Sequence, residues 1–337
     1  MSRDRHERNL SQPLFLAVVT LAGMCLALPL RGEAPRLAQP IDCTLGEDCY
    51  IQNYVDHDPG PGYADFTCGP LSYDGHKGTD FALISRAAMT AGVTVHAAAA
   101  GRVTALRDGM TDGVFLEDPA AVKDRECGNG VVIDHGEDWQ TQYCHLQKDS
   151  VSVTKGQSVK AGAPLGRVGL SGRTEFPHVH VSLRHDGKAV DPFNPDGDHA
   201  CEEMPRRTLW QDPAPHYRPG GMLSAGFSDA VPAYDHVKSG HAATVHLPAD
   251  APALVVWGFA FGGRPGDRVM LEIDAPDGSR IISHTVELEN PMGLFFRAAG
   301  KRLSGPAWPK GVYHGQVSLQ RDGQHLGTRH TTVTIGR

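Results

Sequence analysis

The sequence predicts an all-β protein of two units. Short runs rich in β-branched and aromatic residues, separated by Gly and Asp turns, recur from residue 94 to the C-terminus, as strands do. No long 3.6-residue apolar period appears, so extended amphipathic helices are not expected. The length of 337 residues suggests two domains, at roughly 100–200 residues each.

The N-terminus has the shape of an export signal. A charged, basic stretch, MSRDRHERN, precedes an apolar run from Leu14 to Leu30. Secretory signals have this order, and the run falls slightly short of the ~20 residues of a comfortable membrane span. Residues 1–34 are therefore expected to be a signal peptide or, if uncleaved, a membrane anchor. Arg31–Pro40 is rich in Pro and Ala and reads as a tether. There are seven cysteines, and Cys25 lies in the apolar run. The remaining even set (Cys43, Cys49, Cys68, Cys127, Cys144 and Cys201) reads as disulfides of an exported chain. Cys127 and Cys144 flank GNGVVIDHG…TQYC, two strands expected to pair, and this is the favoured bridge. A structural zinc cluster is the competing reading, but the CxxC spacing such sites favour is absent.

Residues 35–205 are expected to form one β domain. VTVHAAAAGRVTAL, NGVVIDHG, QTQYCHL and HVHVSLR are its strand candidates, and KGQSVKAGAPLGRVG carries the regular glycines of successive tight turns. Residues 206–242, rich in Pro, Gly and Ala, read as a linker or irregular lead-in. Residues 243–337 hold ALVVWGFAF, DRVMLEIDAP, SRIISHTVEL, GLFFRAAG, GVYHGQVSLQ and TRHTTVTIG. These predict an immunoglobulin-like β-sandwich with Asp277-Gly278 and Asp322-Gly323 as turns. Trp257, Phe259 and Phe261 are expected in its core or rim. No chemistry is legible in this unit, which suggests a binding or docking role.

Hydrophobic residues make up 40% and charged residues 21%, and the formal net charge is -7. This balance is that of a soluble globular protein, and it argues against general nucleic-acid binding, which needs a basic footprint.

The chemistry concentrates in three places. In HVHVSL, Val179, Val181 and Leu183 should point to one side of a strand, and His178, His180 and Ser182 to the other. His76-Lys77-Gly78-Thr79-Asp80 offers an imidazole and a carboxylate, and QYCHL offers His145. Imidazole nitrogen and carboxylate oxygen are the ligands of catalytic zinc, which takes three protein groups and leaves a position for water.

His76-x3-Asp80, then His145, then His178-x-His180, in that order, resemble the zinc metallopeptidases of the lysostaphin and LytM type. Gly75, GTDFAL, AAAAGRV, GNGVVIDHG, KGQSVKAGAPLGRVG and Asp191-Pro192 agree, so the resemblance covers roughly residues 70–196. The loop SGRTEFPHVH and the insertion LEDPAAVKDREC depart from the family pattern. The resemblance implies a lysostaphin-like antiparallel β-sheet domain of the barrel-sandwich hybrid type. It assigns His76, Asp80 and His180 to Zn2+, and His145 and His178 as catalytic histidines beside the metal. We favour His178 as base and His145 as transition-state stabiliser. The implied activity is hydrolysis of stem or cross-bridge peptides of peptidoglycan in the periplasm or cell envelope. Contact with a membrane would come only through the N-terminal segment, and a cell-wall protein partner through the C-terminal domain.

Two rivals stand beside this reading. Some relatives have lost ligands and activate cell-wall amidases, whereas all five positions are filled here. A binding module with a structural zinc would need four protein ligands. Other polar residues read as structural: His96, His135 and His185, with His135 ordering a turn. Tyr143 shares a nominal strand face with His145 and is read as lining the groove or packing. Asn53, Asp56 and His57 form a polar cluster, either solvated or closing over the site in a latent form.

Overall fold

The structure, a computed structural model, describes Met1 and residues 33–197, 205 and 207–336. The expected export or anchor segment and Cys201 lie outside the described residues. Among the described residues no helix is long and apolar enough to cross a membrane.

The protein is built almost wholly of strands, as expected. The first half holds β1 (Cys49–Asn53), β2 (Thr79–Leu83), β3 (Thr94–His96), β4 (Gly101–Arg107), β5 (Asn129–Gly136), β6 (Trp139–Leu146), β7 (Ser158–Val159), β8 (Pro164–Arg167), β9 (His178–His185) and β10 (Lys188–Val190). Short helices α1 (Arg86–Ala91) and α2 (Val114–Glu117) interrupt it. An antiparallel sheet runs β1-β2-β9-β6-β5-β4-β7, with β10 pairing β9, and β3-β8 form a ribbon. The valines of β9 point inward as the alternation requires: Val179, Val181 and Leu183 are buried in the core with Phe81, Ile133 and Tyr143.

The second half holds β11 (Gly221–Ser228), α3 (Tyr234–Ser239), β12 (His246–Leu247), β13 (Ala253–Gly263), β14 (Arg268–Asp274), β15 (Arg280–Glu287), β16 (Met292–Arg302), β17 (Gly311–Arg321) and β18 (Gln324–Ile335). Sheets β11-β13-β16 and β12-β18-β17-β14-β15 face each other. Val269, Leu271 and Ile273 of one meet Leu254, Val256 and Ala260 of the other. Asp322 and Gly323, both with positive φ, make the two-residue turn between β17 and β18, the geometry that matches strand twist.

Residues 207–242, expected as a linker or irregular lead-in, hold a regular strand. They contain β11, which pairs along β13 from Gly221↔Phe261 to Ser228↔Val255. The sequence GMLSAGFS hides this strand because its small residues serve packing: a Cβ on Gly226 would lie 2.5 Å from the Trp257 ring. Leu209 and Trp210, from the same segment, are buried in the core of the first half.

The aromatics of β13 also differ from expectation. Leu254, Val256 and Ala260 face the sandwich core, while Trp257, Phe259 and Phe261 join the core of the first half. A strand alternates its faces, so a strand buried on both sides seals the two cores together. Tyr50 of β1 meets Phe261 with ring centroids 4.6 Å apart, and Arg329 Nη2 of β18 donates to the Gly46 carbonyl at 2.8 Å.

Candidate metal centre

The site is laid out by strand register. In the β2–β9 ladder Asp80 stands opposite His180, and Ala82 opposite His178. On the flanks Asn53 of β1 stands opposite Asp80 and Cys144 of β6 opposite His180. Residues directly opposite share a sheet face, so Asn53, Asp80, His180 and Cys144 form one row across four strands. His76 enters from the turn before β2, its backbone N–H donating to the Tyr73 carbonyl at 2.9 Å. Gly78 leaves room for this convergence, since a Cβ there would lie 2.7 Å from the His180 ring.

His76, Asp80 and His180 present ligand-capable atoms within 4.8 Å of one another. His76 Nε2 lies 3.2 Å from Asp80 Oδ1 and 3.1 Å from His180 Nδ1, and His180 Nδ1 lies 2.8 Å from Asp80 Oδ1. His76 Nδ1 donates to the Tyr54 carbonyl at 2.7 Å, which turns the lone pair of Nε2 inward. His180 Nε2 is engaged by Ser182 Oγ at 2.9 Å. Two imidazole nitrogens and a carboxylate oxygen facing one point repel unless a proton or cation lies among them. The donor set fits a catalytic zinc, with three protein groups and room for water.

His178 and His145 stand beside this group. His178 Nε2 is 3.4 Å from Asp80 Oδ1, and its Nδ1 donates to the Phe176 carbonyl at 3.0 Å. The Phe176 ring stacks on it at 4.4 Å. His145 Nδ1 donates to the Ser171 carbonyl at 2.7 Å, and the two rings lie 4.7 Å apart. Both imidazoles thus carry Nδ1–H, leaving Nε2 to accept a proton.

His145 reaches this position through a backbone irregularity. The β5–β6 register slips between Asn129 and Val131, and His145 adopts φ 64°. A bulge beside an active site re-aims side chains in this way. It also explains Tyr143. Simple alternation places Tyr143 beside His145, yet Tyr143 is fully buried and its hydroxyl accepts from Ala98 N–H at 2.7 Å. The bulge breaks the alternation, so Tyr143 packs and His145 faces the groove. The expected Cys127–Cys144 disulfide closes next to this bulge, and a second joins Cys43 to Cys49.

The electrostatics follow from burial and mutual contact. In the metal-free protein, burial opposes ionisation of Asp80, but His76, His178 and His180 outweigh it and hold the carboxyl well below its usual range. Burial, reinforced by His178 and His180, pushes His145 well below the ordinary imidazole value. His180 is lowered, chiefly by burial. Burial also opposes the charge of His76, but Asp80, the Tyr54 carbonyl and Asp56 together outweigh burial and raise its pKa.

The histidines read as structural hold local geometry. His96 Nδ1 donates to the Gly162 carbonyl at 3.0 Å, His135 bridges the Ala100 carbonyl and Thr141 Oγ1, and His185 stacks on Trp139 at 4.2 Å. The cluster Asn53, Asp56 and His57 does not act as one group. Asp56 accepts N–H donors from Asp58, Ala64 and Gly75, His57 pairs with Asp191 at 2.7 Å, and Asn53 turns to Asp80. The groove over the site is about 740 Å³ and is lined also by Gln52, Tyr73, Phe115, Gln142 and Arg173. Sequence reasoning passed over Arg173 and Phe176 because they belong to the loop that departs from the family pattern, and Phe115 because it stands just before the insertion.

Residues 74–192 match the family model of Peptidase family M23, so the chain carries an M23, LytM-type domain around this site. Peptidoglycan DD-endopeptidase ShyA of Vibrio cholerae is 36% identical over 116 residues, covering 34% of this chain and 22% of that protein. Murein hydrolase activator NlpD of Salmonella typhimurium is 35% identical over 69 residues, covering 20% of this chain and 18% of that protein. The crystal structure of the catalytic domain of the prophage-encoded M23 protein EnpA from Enterococcus faecalis matches at 25% identity. It covers 47% of this chain and 94% of that one, with a TM-score of 0.30. The chain thus spans about a fifth of the length of these two curated relatives.

Proposed function

We propose that this chain is an exported zinc metalloendopeptidase that hydrolyses peptide cross-links of peptidoglycan. The observation that carries the reading is the convergence of His76, Asp80 and His180, with His145 and His178 offering Nε2 beside them. His76 Nε2, Asp80 Oδ1 and His180 Nδ1 would hold the zinc. When bound, zinc supplies a Lewis acid and lowers the pKa of its water to about 7.

The remaining chemistry belongs to the protein. His178, held by the Phe176 carbonyl, takes the proton from the attacking water at Nε2 and passes it to the leaving amine. His145, held by the Ser171 carbonyl through Nδ1–H, would donate toward the developing oxyanion from Nε2 only as the imidazolium, the second proton coming from solvent, against the burial that favours its neutral form. An aimed donor of this kind is worth about 3–4 kcal/mol. The groove of about 740 Å³ over the site would take the substrate peptide. Similarity to ShyA supports peptidoglycan as substrate.

A second reading is supported by the similarity to NlpD: a regulator that activates cell-wall hydrolases. The site favours the enzyme, since a regulator has no use for two imidazoles, His145 and His178, set with Nε2 beside the ligand candidates. Digestion of purified sacculi by residues 35–337 separates them. New peptide termini, read by mass spectrometry and lost with a chelator and in His180→Ala, are expected. Intact sacculi with stoichiometric zinc bound would instead favour the regulator.

A further inference from the structure

We propose that Asn53 is a positioning residue of the metal centre, its amide turning Asp80 so that one carboxylate oxygen alone faces the three imidazoles. The proposal rests on the reading of His76, Asp80 and His180 as metal ligands. Asn53 lies outside the M23-matched residues 74–192, so its role has to be read from the fold.

The backbone brings Asn53 to Asp80. β1 pairs with β2 in regular register from Cys49↔Leu83 to Ile51↔Phe81, then slips, so that Asn53 and not Gln52 stands opposite Asp80. One extra residue in a strand shifts which side chain faces its neighbour. Asn53 Nδ2 thereby donates to Asp80 Oδ2 at 2.9 Å. The other oxygen, Oδ1, faces His76 Nε2, His178 Nε2 and His180 Nδ1 at 3.2, 3.4 and 2.8 Å.

Asp80 is 2% exposed, and a buried carboxylate needs partners for its lone pairs. Among the described residues Asn53 is the partner of Oδ2. An amide suits the task. It is a neutral donor, so it orients the carboxylate without cancelling the charge that would bind a cation. A Lys or Arg there would compete with the metal, and an Asp would repel Asp80.

The next residue continues the pattern, since the Tyr54 carbonyl accepts from His76 Nδ1 at 2.7 Å. Two successive residues thus orient two of the three ligand candidates. Their segment is fixed in turn by the Cys43–Cys49 disulfide and by Tyr50 against Phe261.

The test is metal affinity of residues 35–337, measured by competition with a chromophoric zinc chelator, with the visible absorption of the cobalt-substituted protein as a second readout. Asn53→Leu keeps the size and removes the donor, Asn53→Ala serves if the leucine variant does not fold, and Gln52→Ala is the neighbouring control. Removing such an outer hydrogen bond typically weakens metal binding 10–100-fold. That loss, with an altered cobalt spectrum and a wild-type Gln52→Ala, is expected. Unchanged affinity and spectrum in the Asn53 variants, while His180→Ala loses zinc, would overturn the proposal and leave the ligand reading standing. Wild-type zinc affinity in His180→Ala would overturn the ligand reading, and the proposal with it.

Discussion

Asp80 and His180 stand directly opposite each other in the β2–β9 ladder, with Asp80 Oδ1 2.8 Å from His180 Nδ1. The ladder fixes this pairing before any metal arrives, so the chain presents a carboxylate and an imidazole already facing the same point. Asp80→Ala should lower both zinc affinity and sacculus hydrolysis by more than about 100-fold, above the 10–100-fold typical of an outer contact. Its strand should persist, because Phe81 and Leu83 anchor it in the core. Zinc titration beside far-ultraviolet circular dichroism checks both parts.

His145 makes stability depend on pH in the chelator-treated protein. Its imidazole is held well below its ordinary value of 6.5, chiefly by burial. Unfolding at low pH therefore takes up a proton. The contribution is fully present above about pH 6.5 and fades as pH falls. Wild type should lose melting temperature more steeply than His145→Gln between about pH 6.5 and 5. Parallel slopes would refute this.

The Cys127–Cys144 disulfide closes a separation of 17 residues next to the bulge that carries His145. A loop of that size corresponds to about 3 kcal/mol. Replacing both cysteines by serine should reduce unfolding free energy by about that amount in denaturant titration. Hydrolysis should fall as well, because His145 N–H donates to the Cys127 carbonyl at 2.8 Å. Zinc affinity should change less, since of the three ligand candidates only His180 stands opposite a cysteine, and the β2–β9 ladder holds it on the other side.

Phe261→Ala probes the seam between the two halves. The side chain is 3% exposed and packs against Tyr50. Truncating a buried Phe costs about 3–5 kcal/mol. Calorimetry of residues 35–337 should show one transition in wild type, moved to lower temperature in the variant. Two resolved transitions in wild type would contradict a shared core.

The convergence of His76, Asp80 and His180 was legible because these residues sit in regular positions. His178 and His180 alternate with buried valines, and Asp80 follows His76 by a short loop, at the second residue of β2. What stayed hidden depends on irregularities. The register slip between Ile51 and Asn53 has no sequence signature, so Asn53 read only as part of a polar cluster. His145 takes a left-handed backbone, uncommon for residues other than Gly, so simple alternation could not choose between groove and core for Tyr143. β11 was hidden by composition, because Gly226 and its small neighbours look like a linker until Trp257 is seen lying against them. The aromatics of β13 were correctly read as core residues, but which core they enter depends on tertiary packing.

The seam at Phe261 has a consequence for how such a chain can be altered. Arg329, in the last strand, donates to the carbonyl of Gly46, just before the strand that reaches Asp80. The C-terminal sandwich is thus a structural wall of the first half rather than cargo on a tether. Exchanging it for another appended domain would strip the backing from Tyr50, so a working chimera needs a replacement that rebuilds that aromatic surface.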